Sequence, residues 1–310
     1  MDSLEFYCRD LVEQSPTFGT FLFNQSDHLH LQSKKGWRVY GLFHQDTKEV
    51  VATLFINIKG KKAYSPFRAP FGSLQLSAKV PQKKVDELFS KTVEDLALRG
   101  INFLQIKNYP DLYDPPTAHK LQNTLSSLGF SSVEEISSII SVDHRVFEKH
   151  IAIAQRQKLR KSEKRFVFNQ VDSKGLKRIY NFIHDCRKEK NQPLSMTYAQ
   201  VRRTVSRFPD HFLLFQVGHE ELIASAAIVI KIDDKVLYTF YYSHHTRFNK
   251  ISPVVHLISG IYHYAREHQF KLIDLGTSMV NGGINKPLVQ FKKSIGGVSS
   301  SKFIFEKTIS

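Results

Sequence analysis

The chain has 310 residues, 41% of them hydrophobic, and 44 Lys plus Arg against 29 Asp plus Glu give a net charge of +15. That is enough chain for two domains with sizeable cores, and no apolar run approaches the roughly 20 residues that span a bilayer. The positive excess favours phosphate-bearing partners: tRNA, a nucleotide sugar, CoA or an anionic membrane surface touched peripherally.

Cys8 and Cys186 stand far apart and form neither a disulfide framework nor a metal set. The start, Met1-Asp2-Ser3-Leu4-Glu5, is acidic and lacks the basic and apolar regions of a secretion signal, so a reducing cytoplasm is expected. Residues 4–13 read as a short amphipathic segment. Residues 37–43 alternate as a strand, a turn follows at 45–48, and residues 49–59 form a second, β-branched strand. Residues 63–76 contain Pro66, Pro70 and Gly72. Proline has no N–H for a ladder, so this stretch is an edge, a bulge or a loop. A helix over 81–98 presents Val85, Leu88, Phe89, Val93 and Leu96 on one side and ends at Gly100. A strand at 101–106, a helix at 119–128 and a strand at 133–142 complete the first half.

Residues 145–165 carry eight basic residues against Glu148 and Glu163. Helical spacing puts Arg156, Arg160 and Lys164 on one face and Phe147, Ile151 and Ala154 on another. Such a face is either a phosphate contact or a solvated linker helix. Helices at 174–190 and 195–208 follow. Strands at 212–217, 222–231 and 236–243 then lead to a helix at 253–268 and a strand at 270–275. Hairpin strands, helix and strand thus occur twice with little residue identity, which indicates a tandem duplication.

The most informative stretch is 272–297, LIDLGTSMVNGGINKPLVQFKKSIGG. A buried strand carries Asp274 and stops at Gly276. A polar loop with Gly282-Gly283 follows, and a short helix or turn over 286–293 delivers Phe291 and Lys292. Loops at the carboxyl ends of buried strands are where α/β proteins place chemistry. Small polar groups beside a fixed ammonium suit a polar substrate and a developing oxyanion, although spacing alone is more often that of a turn with solvated lysines.

Asp274-Leu275-Gly276-Thr277-Ser278, then glycine and asparagine, then Gln290-Phe291-Lys292-Lys293-Ser294-Ile295-Gly296-Gly297, resembles the closing motif of the FemAB-like group of the GNAT acyltransferase superfamily. In that group a strand ends in Asp-x-Gly, and Phe-Lys-x-x-Phe-Gly follows a short loop. Ile295 replaces the second aromatic here. The run at 155–164, QRQKLRKSEK, is similar to a segment that often opens the second domain of the group. The resemblance implies an α+β (mixed α/β) fold, a tandem duplication of two GNAT-like domains at 1–144 and 166–310 joined by a basic helix at 145–165.

It further implies an N-acyltransferase, in its best-known form an aminoacyltransferase that extends the peptide of a cell-wall (peptidoglycan) precursor from aminoacyl-tRNA. Lys292 is then the catalytic cation and Phe291 a wall of the donor channel. Ser278, Asn281 and Asn285 orient the acceptor, while Asp274 and Gly276 shape the loop, Asp274 by accepting backbone N–H bonds. Arg247 would meet a phosphate or carboxylate as a bidentate fork. Either Tyr241 or Tyr242 contacts substrate, since neighbours on a strand point oppositely. Arg68 sits in a Pro-rich loop that the group places near the acceptor. His244, His245 and His256 lack the clustering of a metal site, and no metal or permanently bound cofactor is expected.

The donor stays open between aminoacyl-tRNA, with an amine of a peptide or of a phosphate-bearing molecule as acceptor, and acyl-CoA or another thioester, with a small amine as acceptor. Acetyl-CoA enzymes of the superfamily cradle pyrophosphate in a Gln/Arg-x-x-Gly-x-Gly/Ala turn. The matching segment here, Arg247-Phe248-Asn249-Lys250-Ile251-Ser252-Pro253, lacks both glycines and reads instead as an N-cap with proline at the first helical position. Against tRNA stands the absence of the helical hairpin that some Fem proteins insert in the second domain. A non-catalytic phosphate-ligand or RNA-binding protein on the same scaffold is the third reading. Oligomeric state is not legible.

Overall fold

The structure, a computed structural model, describes residues 4–11, 18–77, 80–219, 222–280 and 282–309. The chain divides into two units, Met1–Ile136 with Ser300–Ser310, and Ser137–Ser299.

The first unit runs β1 (Leu4–Asp10), α1 (Ser26–Gln32), β2 (Trp37–His44), β3 (Val50–Lys59), β4 (Lys62–Ser65), β5 (Gln75–Leu76), α2 (Gln82–Leu98), β6 (Phe103–Lys107), α3 (Pro115–Ser127) and β7 (Ser131–Ser141), whose last residues enter the second unit. The expected amphipathic segment at the start is a strand, antiparallel to β2. Its period is two: Leu4, Phe6 and Cys8 join the main core, and Tyr7 packs with Leu29, Trp37 and Phe55 on the other side. β3 is buried on both faces, which explains its nearly continuous apolar run. β4 lies between β3 and a parallel β6 and stops at Ser65, so the proline-bearing stretch is a loop rather than an edge. α3 starts before residue 119, because Asp114 caps it by accepting from the Thr117 N–H and Pro115 fits the first turn.

The second unit continues with α4 (Ile153–Glu163), β8 (Val167–Val171), α5 (Leu176–Lys188), α6 (Tyr198–Arg207), β9 (Phe212–Gly218), β10 (Ile223–Lys231), β11 (Val236–His244), α7 (Pro253–Glu267), β12 (Leu272–Thr277), β13 (Met279–Val280), β14 (Gly283–Ile284) and α8 (Lys286–Ser294), after which nearly all of β15 (Val298–Thr308) lies in the first unit. Its strands lie in the order β7-β12-β11-β10-β9-β8, with α4 and α7 over one face and α5 and α6 over the other. The two units repeat one plan. Antiparallel strands end at β4 or β11, which pairs in parallel with β6 or β12.

The boundaries differ from the sequence expectation of 144, 145–165 and 166–310. α4 is no free linker: Gln155, Leu159 and Ser162 bury it in the second unit, and Ala154, expected on the apolar side, is exposed. β15 hydrogen-bonds antiparallel to β6, so the C-terminal strand belongs to the first unit, just as the end of β7 pairs with β12 in the second. Each unit is completed by a strand that follows the other unit's last helix. β8 and β15 had no expectation from sequence.

Candidate functional site

The chemistry-bearing residues of the second unit collect where β11 and β12 part. These parallel strands pair only through Val236–Tyr238 and Leu272–Asp274, although β11 continues to His244 and β12 to Thr277. A fork between the carboxyl ends of parallel strands is a usual place for ligands. A bulge shapes its β11 side: Tyr238 opposes Ile230 and Tyr241 opposes Ile228, so Thr239 and Phe240 stand against Val229 alone. The extra residue reverses the in–out order and puts Tyr241 on the α5/α6 side.

Gly276, at φ +76°, turns the chain out of β12 in a conformation that favours glycine. The Asp274 carboxylate, 2% exposed, accepts from the Gly276 N–H at 2.7 Å and holds that turn. From α8, Lys292 reaches into the same turn. Its Nζ donates to the carbonyls of Gly276 at 2.7 Å and Thr277 at 2.9 Å, and the residue is 1% exposed. An ammonium has three N–H donors, and the third has no partner among the described residues. Burial draws the Lys292 ammonium down to about 8, with Asp274 acting against this and Arg187 adding to it. Gly297 closes the motif: its N–H donates to the Lys292 carbonyl at 2.9 Å, and a Cβ there would meet that same oxygen at 2.9 Å.

The structure gathers Lys292, Asp274, Gly276 and Ser278 around this turn. Ser278 is fully buried, and its hydroxyl has no partner among the described residues, an orphaned group that a polar substrate would satisfy. Asn285 caps α8, its Oδ1 accepting from the Leu288 N–H, which gives the residue a structural role. Phe291 packs partly against the core beside Ile295. Asn281 lies outside the described residues. Arg247 is exposed at the end of β11, its guanidinium 4.6 Å from the Phe248 ring centre, and Arg165 approaches the same ring at 5.1 Å. Arg68 belongs to the first unit, exposed and stacked 4.9 Å over Phe67.

The tyrosines sort differently from the sequence expectation. Tyr241 is a core strut: its hydroxyl lies 2.5 Å from Ser195 Oγ and accepts from the Met196 N–H at 3.0 Å. Tyr241→Phe is expected to lower stability by about 1 kcal/mol while leaving the transfer rate unchanged, read by a melting curve beside a single-turnover assay. Tyr242 lies against the opposite core, and burial pushes its phenol up to about 12. Sequence reasoning missed Tyr238, whose ring edge lies 3.7 Å from a Cβ built on Gly276. Its place beside that turn follows from the parallel pairing of Tyr238 with Asp274, a non-local contact.

Arg187 was missed as well. Its guanidinium lies 5.8 Å from the Tyr241 ring centre and close enough to Lys292, Tyr238 and Tyr242 to lower the pKa of each. A signal existed: Leu176, Tyr180, Ile183 and Arg187 fall on one stripe of α5, and a cation ending an apolar stripe points inward. Among the described residues no group of three or more His, Cys, Asp or Glu is placed to hold a metal, and no helix is long and apolar enough to cross a membrane.

No protein-family model and no curated protein matches the chain. Solved structures do. The crystal structure of FemX superposes with a TM-score of 0.69 at 14% identity, covering 97% of each chain. This is the fold of FemX. L-PGS from Bacillus licheniformis matches at a TM-score of 0.57 and 10% identity, over 90% of this chain and 86% of that one. A tandem GNAT protein from the clavulanic acid biosynthesis pathway matches at 0.51 and 11% identity, over 99% of both. The FemX likeness runs the length of the chain, so the architecture is the tandem GNAT-like one expected from sequence.

Proposed function

We propose that the chain is an N-acyltransferase of the FemAB-like kind, with its transfer centre at the β11/β12 fork of the second unit. The carrying observation is Lys292, a buried ammonium locked by two carbonyls with one N–H to spare. In the reaction the acceptor amine attacks the carbonyl carbon of an aminoacyl ester. A C–N bond forms, the ester C–O bond breaks, and the terminal ribose oxygen of the carrier leaves with the proton that the amine gives up. The free N–H of Lys292 stabilises the oxyanion between these steps, and the rigid turn keeps it in place without reorganisation. The acceptor is an amine of a peptide or of a phosphate-bearing molecule.

Two observations favour aminoacyl-tRNA as donor. The second unit holds 26 Lys plus Arg against 13 Asp plus Glu, whereas the first holds 18 against 16, so nearly all the positive excess accompanies the fork. Arg165 and Arg247 about Phe248 are part of that excess. The segment before α7 is also closed on itself. The N–H groups of Phe248, Asn249, Ile251 and Ser252 donate to His245, Thr246, Phe248 and Phe248, and Ser252 stands at φ 47° without a side-chain cap. Few N–H groups are left there to cradle a pyrophosphate. An acyl-CoA donor is favoured by a different fact: α5 and α6 both pack into the core and form no protruding hairpin.

Titration of the full chain with charged tRNA, uncharged tRNA and acetyl-CoA across salt concentrations separates the readings. The expected result is saturable, salt-dependent binding that prefers charged tRNA. Saturable acetyl-CoA binding without that preference would overturn the tRNA assignment. Arg187→Ala is expected to slow transfer about tenfold and to shift the alkaline limb of the pH–rate profile upward, because a positive neighbour of Lys292 is removed.

A further inference from the structure

The second unit has a cavity of about 380 Å³ away from the fork, bounded by the end of α4, the strands β8 and β9, and one face of α7. Its apolar wall is aromatic. Phe168 and Phe215 stack at 5.3 Å, and Tyr264 meets Phe215 edge-on at 5.2 Å. Gly260 keeps α7 close, since a Cβ there would meet the Phe168 ring at 2.2 Å.

The polar lining is selective. His256 is 7% exposed; its Nδ1 lies 3.2 Å from Ser162 Oγ, and its Nε2 has no partner among the described residues. Burial draws the His256 imidazolium down to about 4, so the ring is neutral at neutral pH. When Nδ1–H donates to Ser162 Oγ, Nε2 is the acceptor that the ring presents to the cavity. His263 is also depressed by burial, with Arg266 adding to it and Glu148 opposing. The charged groups that line the cavity are Glu163 and Glu267; no Lys or Arg does, although this unit has twice as many basic as acidic residues. A carboxylate rim, a neutral imidazole acceptor and an aromatic wall match a primary ammonium on a slim apolar body.

We propose that this cavity is a binding site for such an organic ammonium, separate from the transfer centre and independent of the reading given to it. The test is calorimetric titration of the full chain with 2-phenylethylammonium and with its neutral counterpart 2-phenylethanol. Three proteins are used: wild type, Glu163→Gln/Glu267→Gln and Lys292→Met. The two carboxylates are exposed, so their double variant is expected to melt with the wild type. The expected result is saturable ammonium binding, about tenfold or more tighter than the alcohol, lost by a similar factor in the double variant and unchanged in Lys292→Met. Equal binding of amine and alcohol, no saturable binding, or binding insensitive to the double variant would overturn the site. Loss confined to Lys292→Met would place the amine at the fork and overturn it as well.

Discussion

Lys292→Met is expected to lower single-turnover acyl transfer by about 10²–10³-fold, the usual cost of one preorganised oxyanion donor. Methionine keeps the apolar stem and removes the N–H groups now placed on Gly276 and Thr277, together with the third one. The pH dependence identifies the group. Lys292 acts as the ammonium, and burial lowers it to about 8, so the wild-type rate falls as pH rises through about 8. The variant's residual rate lacks that limb. Stability moves in the opposite sense. Between about 8 and the ordinary lysine value the unfolded chain holds a proton that the folded chain has released, so folding stability from this group rises with pH across that window. The gain is on the order of 3 kcal/mol, and it disappears in Lys292→Met. An unchanged alkaline limb in the variant would show that another group sets it.

The second large effect is expected at Asp274. Asp274→Ala removes the acceptor for the Gly276 N–H and the carboxylate that supports the Lys292 charge, leaving a buried ammonium without its counter-charge. Such a loss costs about 3–5 kcal/mol and lowers the melting midpoint by on the order of 10 °C. Lys292→Met added to Asp274→Ala recovers a large part of that loss, because the uncompensated charge is gone. A double variant whose loss is the sum of the two single losses would mean that the residues are energetically independent.

Much of this was legible in the sequence because it is local. The two-residue alternation of Trp37 to His44 and the apolar side of α7 follow directly from hydrophobic period. So did the turn around Gly276 and the cation after Phe291, since strand, glycine and short helix are consecutive. The pairings that escaped are non-local. β15 begins Val-Ser-Ser-Ser, with little apolar content, and its partner β6 lies some two hundred residues earlier in the chain. That pairing moved the domain boundary. The choice between Tyr241 and Tyr242 was open in the sequence because one bulged residue reverses the facing along β11, and a bulge is set by the partner strand. Arg187 was overlooked because it was read as part of an ordinary helix, although its stripe points it into the site. Ala154 looked apolar enough to be buried, yet Gln155 and Leu159 form the inward side of α4.

The claim that the β11/β12 fork is a transfer centre is tested most directly by single-turnover chemistry. Wild-type chain and Lys292→Met would each be mixed with isotopically labelled aminoacyl-tRNA and an amine-bearing peptide, and the amide product followed by mass spectrometry. The expected result is amine-dependent loss of the ester matched by new amide in the wild type, reduced about 10²–10³-fold in the variant. Binding of charged tRNA without amide formation, or amide formation that Lys292→Met leaves intact, would contradict it.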